Sequence, residues 1–367
     1  MAKQCRWGIL GAANIAMKLW TAIKSSGSGC VRAVASRDAA RAAEFIRRCQ
    51  ADDPMVDSRY DPQVVDAVGG YQNLLDRDDI DAVYVPLPTA ARAQWVIAAA
   101  RAGKHVLCEK PAAVNLQSLQ TMLDACQQAG VQWMDGVMFD HSARIEPVAE
   151  QARTHLGDIR RVECHFSFLA DKDFESNIRA DSRLEPHGAL GDLGWYGIRF
   201  VDHLLGQQLP QRVRCGIRRT VGDGVPSECF AQMESSEGWI AEIFCSFHSV
   251  NRQTAVITGT SGYLSLDDFV LPMTGGRSRW DIHRHHLDIQ GGRWTFDRRD
   301  ERCYVDEAPS GLPGAQEVTM IRRMNDLVLI GNRDHCYVSR TLRTQTVMDA
   351  MRASAARNEQ WIEPENV

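Results

Sequence analysis

The order of apolar and polar positions gives the two parts of the chain different textures. Up to about residue 136, short apolar runs alternate with amphipathic stretches. Arg6 to Leu10, Val31 to Ala35, Ala82 to Pro86, Val106 to Cys108 and Val131 to Met134 read as buried strands. Met17 to Lys24, Ala39 to Cys49 and Ala90 to Arg101 read as helices. So does the stretch after Asn115, where Leu116, Leu119, Met122, Leu123 and Cys126 form one stripe. Asn115 is placed to cap that helix and Gly130 to end it, while Gly103 closes the helix Ala90 to Arg101. The polar segment from Ala51 to Asp66 reads as a surface loop. Strands alternating with helices at this spacing predict an α/β domain with a doubly wound parallel sheet.

After residue 136 the period changes. Val162, Cys164, Phe166 and Phe168 alternate, as do Trp239, Ala241, Ile243, Cys245 and Phe247. Gln211 to Arg219, Ser227 to Glu234, Trp239 to Phe247, Thr254 to Thr258 and Tyr263 to Leu266 read as successive strands. Such a meander has one face that needs cover, from a second copy or from within the chain. A helix runs from Asp192 to about Leu205, and two more span Glu317 to Ile330 and Leu342 to Ala356. The reading is two domains, 1–136 and 137–367, with the last helix free to pack back on the first.

Composition narrows the class. The 367 residues are 44% hydrophobic and 24% charged, close to the globular average. A net charge of −5 without a basic stripe points away from nucleic acid. No apolar run approaches a membrane span, and the first residues lack a signal-like apolar region. Eleven scattered cysteines without a C-x-x-C pair favour reduced thiols in a cytoplasmic enzyme.

The first candidate chemistry is the turn Gly8 to Ala16. It joins a strand to a helix, with small residues where a backbone approaches a pyrophosphate and a helix amino end faces it. Gly11 takes the first glycine position of G-x-G-x-x-G, while Ala13 and Ala16 take the second and third. The second strand ends in Ser36-Arg37 rather than an acid, which suits a ribose 2′-phosphate and hence NADP, with NAD still possible. Asp38 reads as a helix cap. Lys110 follows another strand, at the sheet edge where ligands bind. In the second half, Asp192 and Tyr196 lie four apart on a helix and Arg199 adjoins them, which is also the pattern of a solvated ion-pair face.

These motifs together are similar to those of the glucose-fructose oxidoreductase / inositol dehydrogenase (Gfo/Idh/MocA) family. The carriers are the Gly8–Ala16 turn, Tyr84-Val85-Pro86-Leu87-Pro88-Thr89 and Gly103-Lys104-His105-Val106-Leu107-Cys108-Glu109-Lys110-Pro111. The segments Gly188-Ala189-Leu190-Gly191-Asp192-Leu193-Gly194-Trp195-Tyr196 and Gly259-Thr260-Ser261-Gly262-Tyr263-Leu264 complete the set. The resemblance implies an N-terminal Rossmann domain and a C-terminal α/β domain with a large open, mainly antiparallel sheet. That sheet would join a homodimer or homotetramer. The branch with tyrosine at the acid/base position includes glucose-fructose oxidoreductase, dimeric dihydrodiol dehydrogenase and xylose dehydrogenase.

The resemblance also implies roles. Lys110, Asp192 and Tyr196 become the catalytic set, with Tyr196 as acid/base. The cofactor set is Gly11, Ala12, Ala13, Asn14, Ile15, Ser36, Arg37, Pro86, Leu87, Pro88, Glu109 and Lys110. His141, His187, Trp195 and Arg199 are candidates to contact a carbohydrate-like substrate, although Trp195 also reads as core and His187 as a turn stabiliser. Ala13, Arg92, Pro186-His187 and Arg199 depart from the usual family residues, the last two bearing on substrate identity. The reaction implied is hydride transfer between nicotinamide and a sugar, polyol or vicinal diol. The alternatives are a redox-assisted glycosidase that retains NAD, and a catalytically silent nucleotide-binding protein. Asp171 to Arg183 is either a lid or a plain surface loop. His283, His285 and His286 cluster, but no cysteine or carboxylate set is spaced to join them, so no metal is expected.

Overall fold

The computed structural model describes residues 3–51, 64–206, 208–273 and 275–366. Most of the segment expected to be a surface loop, 51–66, lies outside the described residues. The chain divides into two compact units, one comprising Met1–His141 with Ser310–Leu342, the other Ser142–Pro309 with Arg343–Val367.

In the first unit the elements run β1 (Cys5–Leu10), α1 (Asn14–Ser25), β2 (Gly29–Ser36), α2 (Ala39–Ala51), β3 (Asp66–Gly69) and α3 (Tyr71–Leu75). They continue β4 (Ala82–Val85), α4 (Thr89–Arg101), β5 (His105–Cys108), α5 (Leu116–Ala129) and β6 (Trp133–Asp135). All six strands pair in parallel, in the order β3-β2-β1-β4-β5-β6. The order reverses between β1 and β4, and a crevice outside the strand ends at such a point is where α/β sheets bind ligands. Strands β1, β4 and β5 are almost wholly buried, as sandwiched parallel strands must be. Local signals hold as read. Asn115 accepts from the Ser118 amide at 2.8 Å, Asp38 from the Ala40 amide at 2.9 Å, and Gly130 is left-handed at φ 69°. Strand β3 and helix α3 escape the sequence pattern because each is only about a turn or a few residues long.

The second unit holds α6 (Ile145–His155), β7 (Ile159–Leu169), α7 (Trp195–Leu204), β8 (Arg212–Val221), β9 (Val225–Glu234), β10 (Ile240–Ser246), β11 (His248–Gly259) and β12 (Tyr263–Leu266). It ends its sheet with β13 (Gly276–Gln290) and β14 (Arg293–Glu307). The sheet order is β14-β13-β12-β11-β7-β10-β9-β8. Among the described strands of this sheet only β10 and β7 pair in parallel, so the expected large, mainly antiparallel sheet is present. One face packs under α7, where a Cβ on Gly197 would lie 3.1 Å from Ile243. The opposite face is a ladder of charge and amide. Arg161 pairs with Glu242, Gln232 donates to Glu242 at 2.9 Å, and Arg214 donates to Gln232 at 2.5 Å.

The charge run Arg298 to Arg302, which reads as plain solvated surface, is part of β14. It pairs residue by residue with β13, and the reason it hides is that both faces of the hairpin tip meet solvent. The chain then forms α8 (Gln316–Ile330), which belongs to the first unit, and α9 (Cys336–Ala356). Helix α8 is tied by Asn325, wholly buried, which accepts from the Trp7 indole at 2.8 Å and donates to Ser26 and Ser28. Among the described residues no helix is long and apolar enough to cross a membrane.

Candidate active site

The first unit supplies a nucleotide cradle. Strand β1 ends at Gly11, whose φ of 130° is open only to glycine, and a Cβ there would stand 3.2 Å from Leu87. Ala12 and Ala13 are half-exposed, and Asn14 and Ile15 exposed. Ala13 begins α1 without any side-chain cap, and the first turn carries no acid. Early helix amides left uncapped, in a first turn that carries no acid, suit a phosphate. Strand β2 ends in buried Ser36, followed by exposed Arg37. These residues fit a dinucleotide, and the serine–arginine pair fits one with an extra phosphate.

The ends of β4 and β5 are fastened to each other. Glu109 is buried and accepts from the Tyr84 hydroxyl at 2.5 Å and from the Lys110 amide at 3.1 Å. Burial, then the Glu109 charge, pushes the Tyr84 phenol far above its ordinary range. Glu109 thus organises the strand ends that carry Pro86, Leu87 and Lys110. Pro86 and Leu87 are buried, Pro88 and Lys110 half-exposed, and the Lys110–Pro111 bond is cis. Arg92 is a fastener that sequence reasoning did not identify. It is buried in α4 and donates to the Leu87 carbonyl at 2.7 Å and to the Pro111 carbonyl.

In the second unit the chain turns at Gly188, φ 54°, where a Cβ would fall 1.9 Å from the Pro226 carbonyl oxygen. The helix that follows is not α-helical at once: Leu190–Gly194 is a π-turn, and Trp195–Leu204 is α-helix. Asp192 sits in the π-turn, and π-turns are frequent at functional sites. Its carboxylate accepts from Arg179 Nε at 2.9 Å. The Asp192 charge, with smaller contributions from Glu185 and Tyr196, raises the Arg179 guanidinium above its ordinary value. Tyr196 is buried, its ring 5.6 Å from that of Phe166.

Arg179 belongs to the polar segment 171–183, and sequence reasoning missed it. No spacing rule links it to a helix thirteen residues on. The segment folds as two 3-10 turns, Phe174–Ser176 and Ile178–Ala180. Phe174 packs 4.9 Å from Phe247, and Ser182 bonds Asp223 through its amide and hydroxyl.

The expected row of Asp192, Tyr196 and Arg199 breaks at Arg199. That side chain is wholly buried, and its Nε donates to Thr344 at 2.9 Å. Trp195 is also wholly buried, the core side of its two readings, and His187 is 1% exposed in the turn. His141 stacks on Tyr337 at 5.8 Å in the first unit. All eleven cysteines are free and nine are buried, as reduced thiols would be.

A parallel sheet with a phosphate turn at its switch point, joined in one chain to a mixed sheet carrying an Asp–Tyr helix, defines a nucleotide-dependent oxidoreductase. The comparisons make the assignment specific. Residues 5–137 match the model of the oxidoreductase family with an NAD-binding Rossmann fold, and 151–265 match the GFO/IDH/MocA C-terminal domain. The chain belongs to the Gfo/Idh/MocA family. It is 32% identical over 290 residues to a dTDP-3,4-didehydro-2,6-dideoxy-alpha-D-glucose 3-reductase of Streptomyces antibioticus, covering 77% of this chain and 82% of the relative. It is 33% identical over 258 residues to D-xylose 1-dehydrogenase (NADP(+)) 2 of Haloferax volcanii, covering 70% and 74%. Among solved structures, a 3-ketoreductase from Actinomadura kijaniata in complex with NADP and TDP-benzene superposes with TM-score 0.77 at 25% identity, covering 96% of this chain and 98% of that one.

Proposed function

We propose that this protein is an NADP-dependent dehydrogenase or reductase acting on a CH–OH group of a sugar, polyol or vicinal diol, with Tyr196 as general acid/base and Lys110 as its electrostatic partner. The observation that carries the reading is the Asp192–Arg179 ion pair, four residues from Tyr196 on one continuous helix. When bound, the nicotinamide accepts or supplies the hydride. The protein must then handle the proton of the reacting oxygen. A free tyrosine titrates near pH ~10, too high for an efficient base at neutral pH. A nearby ammonium lowers that barrier by stabilising the phenolate, the role given to Lys110. Asp192, held by Arg179, orients the substrate hydroxyls. Gly11 to Ile15 receive the pyrophosphate, and Ser36 with Arg37 receives the 2′-phosphate.

The names of the relatives support the cofactor and substrate class: one is an NADP(+) xylose dehydrogenase, and others are reductases of a dTDP-sugar. Assembly as a homodimer or homotetramer through the second sheet is part of the proposal. Exposed Ile289, Trp294 and Phe296 on its outer hairpin support it, and light scattering on a sizing column tests it.

The deciding experiment is Tyr196→Phe. Turnover with NADPH and a responsive carbonyl substrate should fall ~10²–10⁴-fold while NADPH affinity by fluorescence titration holds. Near-normal turnover in that variant rejects the assignment. Tighter binding of NADH than NADPH by the wild type rejects the role given to Arg37.

A further inference from the structure

Strands β13 and β14 make the long hairpin at one edge of the second sheet, turning at Gly291 and Gly292, which are both left-handed at φ 52° and 79°. The register sets His283 directly opposite Asp300, and His285 opposite Arg298. Because side chains alternate along a strand, His283, His285, Arg298 and Asp300 share one face. The His283 Nδ1 atom lies 2.7 Å from Asp300 Oδ1, and His285 Nε2 lies 3.2 Å from the same oxygen. One donor atom from each of the three residues falls within 4.8 Å of the others. The carboxylate that sequence spacing did not provide is thus delivered by pairing across the hairpin.

We propose that His283, His285 and Asp300 form a binding site for a divalent first-row transition metal of the zinc class. Two imidazoles and a carboxylate suit such an ion. Zinc bonds these ligands at about 2.0–2.2 Å, so tetrahedral donors stand roughly 3.3–3.5 Å apart. The observed separations need only small side-chain adjustments to reach that. The supporting contacts are those a ligand shell requires. His283 uses its other ring nitrogen toward Ser265 Oγ at 3.2 Å, which fixes the ring with Nδ1 facing Asp300. Tyr263 stacks on the same ring at 4.3 Å and 20°. Arg298 Nε donates to the second Asp300 oxygen at 2.5 Å, leaving Oδ1 for the site.

The site has a structural use. Beyond it the hairpin is exposed on both faces, and Leu287 pairs with Phe296, and Ile289 with Trp294, on the same side as the two histidines. A lone two-stranded ribbon is marginal in water. An ion joining residues of both strands fixes their register at the base of this apolar tip. The metal proposed here takes no part in hydride transfer.

The test uses tag-free, full-length protein stripped with chelator and then dialysed against ZnCl2 or CoCl2. The expected result is one Zn2+ per chain by elemental analysis after gel filtration, and visible d–d absorption with Co2+. Asp300→Asn and His285→Gln, both at exposed positions, should abolish retention, and Ser265→Ala should weaken it ~10-fold or more. Cys336→Ser, at the exposed cysteine, should leave it unchanged. Failure of the folded wild type to retain metal overturns the proposal, as does retention unaltered in Asp300→Asn and His285→Gln.

Discussion

Arg92→Met is the most direct test of how the cofactor edge of the first sheet is built. Arg92 is 4% exposed and donates to the carbonyls of Leu87 and Pro111. Those acceptors belong to the segments after β4 and after β5. Methionine keeps the length and the apolar stem and removes both donors. A hydrogen bond from a charged group contributes about 1.5–3 kcal/mol, so two contribute roughly 3–6 kcal/mol. The buried cation also disappears, and with it part of its desolvation cost, which offsets some of the loss. The expected net is about 2–4 kcal/mol of stability. For a unit of this size each kcal/mol moves the transition by ~2–4 °C, giving a fall of roughly 5–15 °C by calorimetry. Because Pro86 to Pro88 and Lys110 lie in the loosened segments, NADPH binding should weaken about tenfold, equivalent to ~1.4 kcal/mol. Arg92→Lys, with one donor head, should fall between. A transition for Arg92→Met within ~1 °C of wild type, with unchanged NADPH affinity, would refute the fastening role.

Three further outcomes are expected. Arg179→Ala removes one charge-assisted hydrogen bond to Asp192; at about 1.5–3 kcal/mol this lowers kcat/KM by roughly 10–150-fold in steady-state assays, with partial recovery in Arg179→Lys. Gly188→Ala sets a Cβ 1.9 Å from the Pro226 carbonyl oxygen at a φ of 54°, so the turn before Asp192 cannot close and urea unfolding should show a loss above ~3 kcal/mol; wild-type stability would contradict this. Arg77 holds the Asp79 carboxyl down at about 2, below its ordinary value. A depressed carboxyl stabilises the fold above its unfolded pKa of ~3.9 and loses that contribution as pH falls through its folded value. Stability should therefore decline between pH ~4 and ~2, and Asp79→Asn should lessen that decline in acid titrations followed by circular dichroism.

What was legible in the sequence is what short-range rules govern. The apolar runs of β1, β4 and β5 are continuous because these strands are buried on both faces, and Asn115 and Asp38 cap the helices that their own side chains begin. Both halves of the family assignment were carried by motifs contiguous in sequence. What escaped depends on pairing at a distance. Strand β14 is polar on both sides near its tip, so no period marks it; only its register with β13 makes it a strand and places Asp300 against His283. Arg179 reaches Asp192 because two 3-10 turns fold the intervening segment back, and neither turn has a pattern that local propensity reports.

The departures from the family pattern also take a different meaning once the side chains are placed. Arg92 and Arg199 substitute residues that would otherwise be looked for near a substrate, and Arg199 reads from spacing as a neighbour of Tyr196. Both guanidiniums are buried, and both donate to groups of the scaffold: the Leu87 and Pro111 carbonyls for one, the Thr344 hydroxyl for the other. A buried cation bound to scaffold oxygens is costly to move, since withdrawing it strands its partners and itself. These two positions therefore help to shape the backbone that presents the site. A cation suited to choosing the substrate is Arg179, exposed and carried on a segment with little regular structure. Exchanging residues 171–183 should alter substrate preference more than any change at residue 92 or 199, with kcat/KM ratios across a sugar panel as the measure.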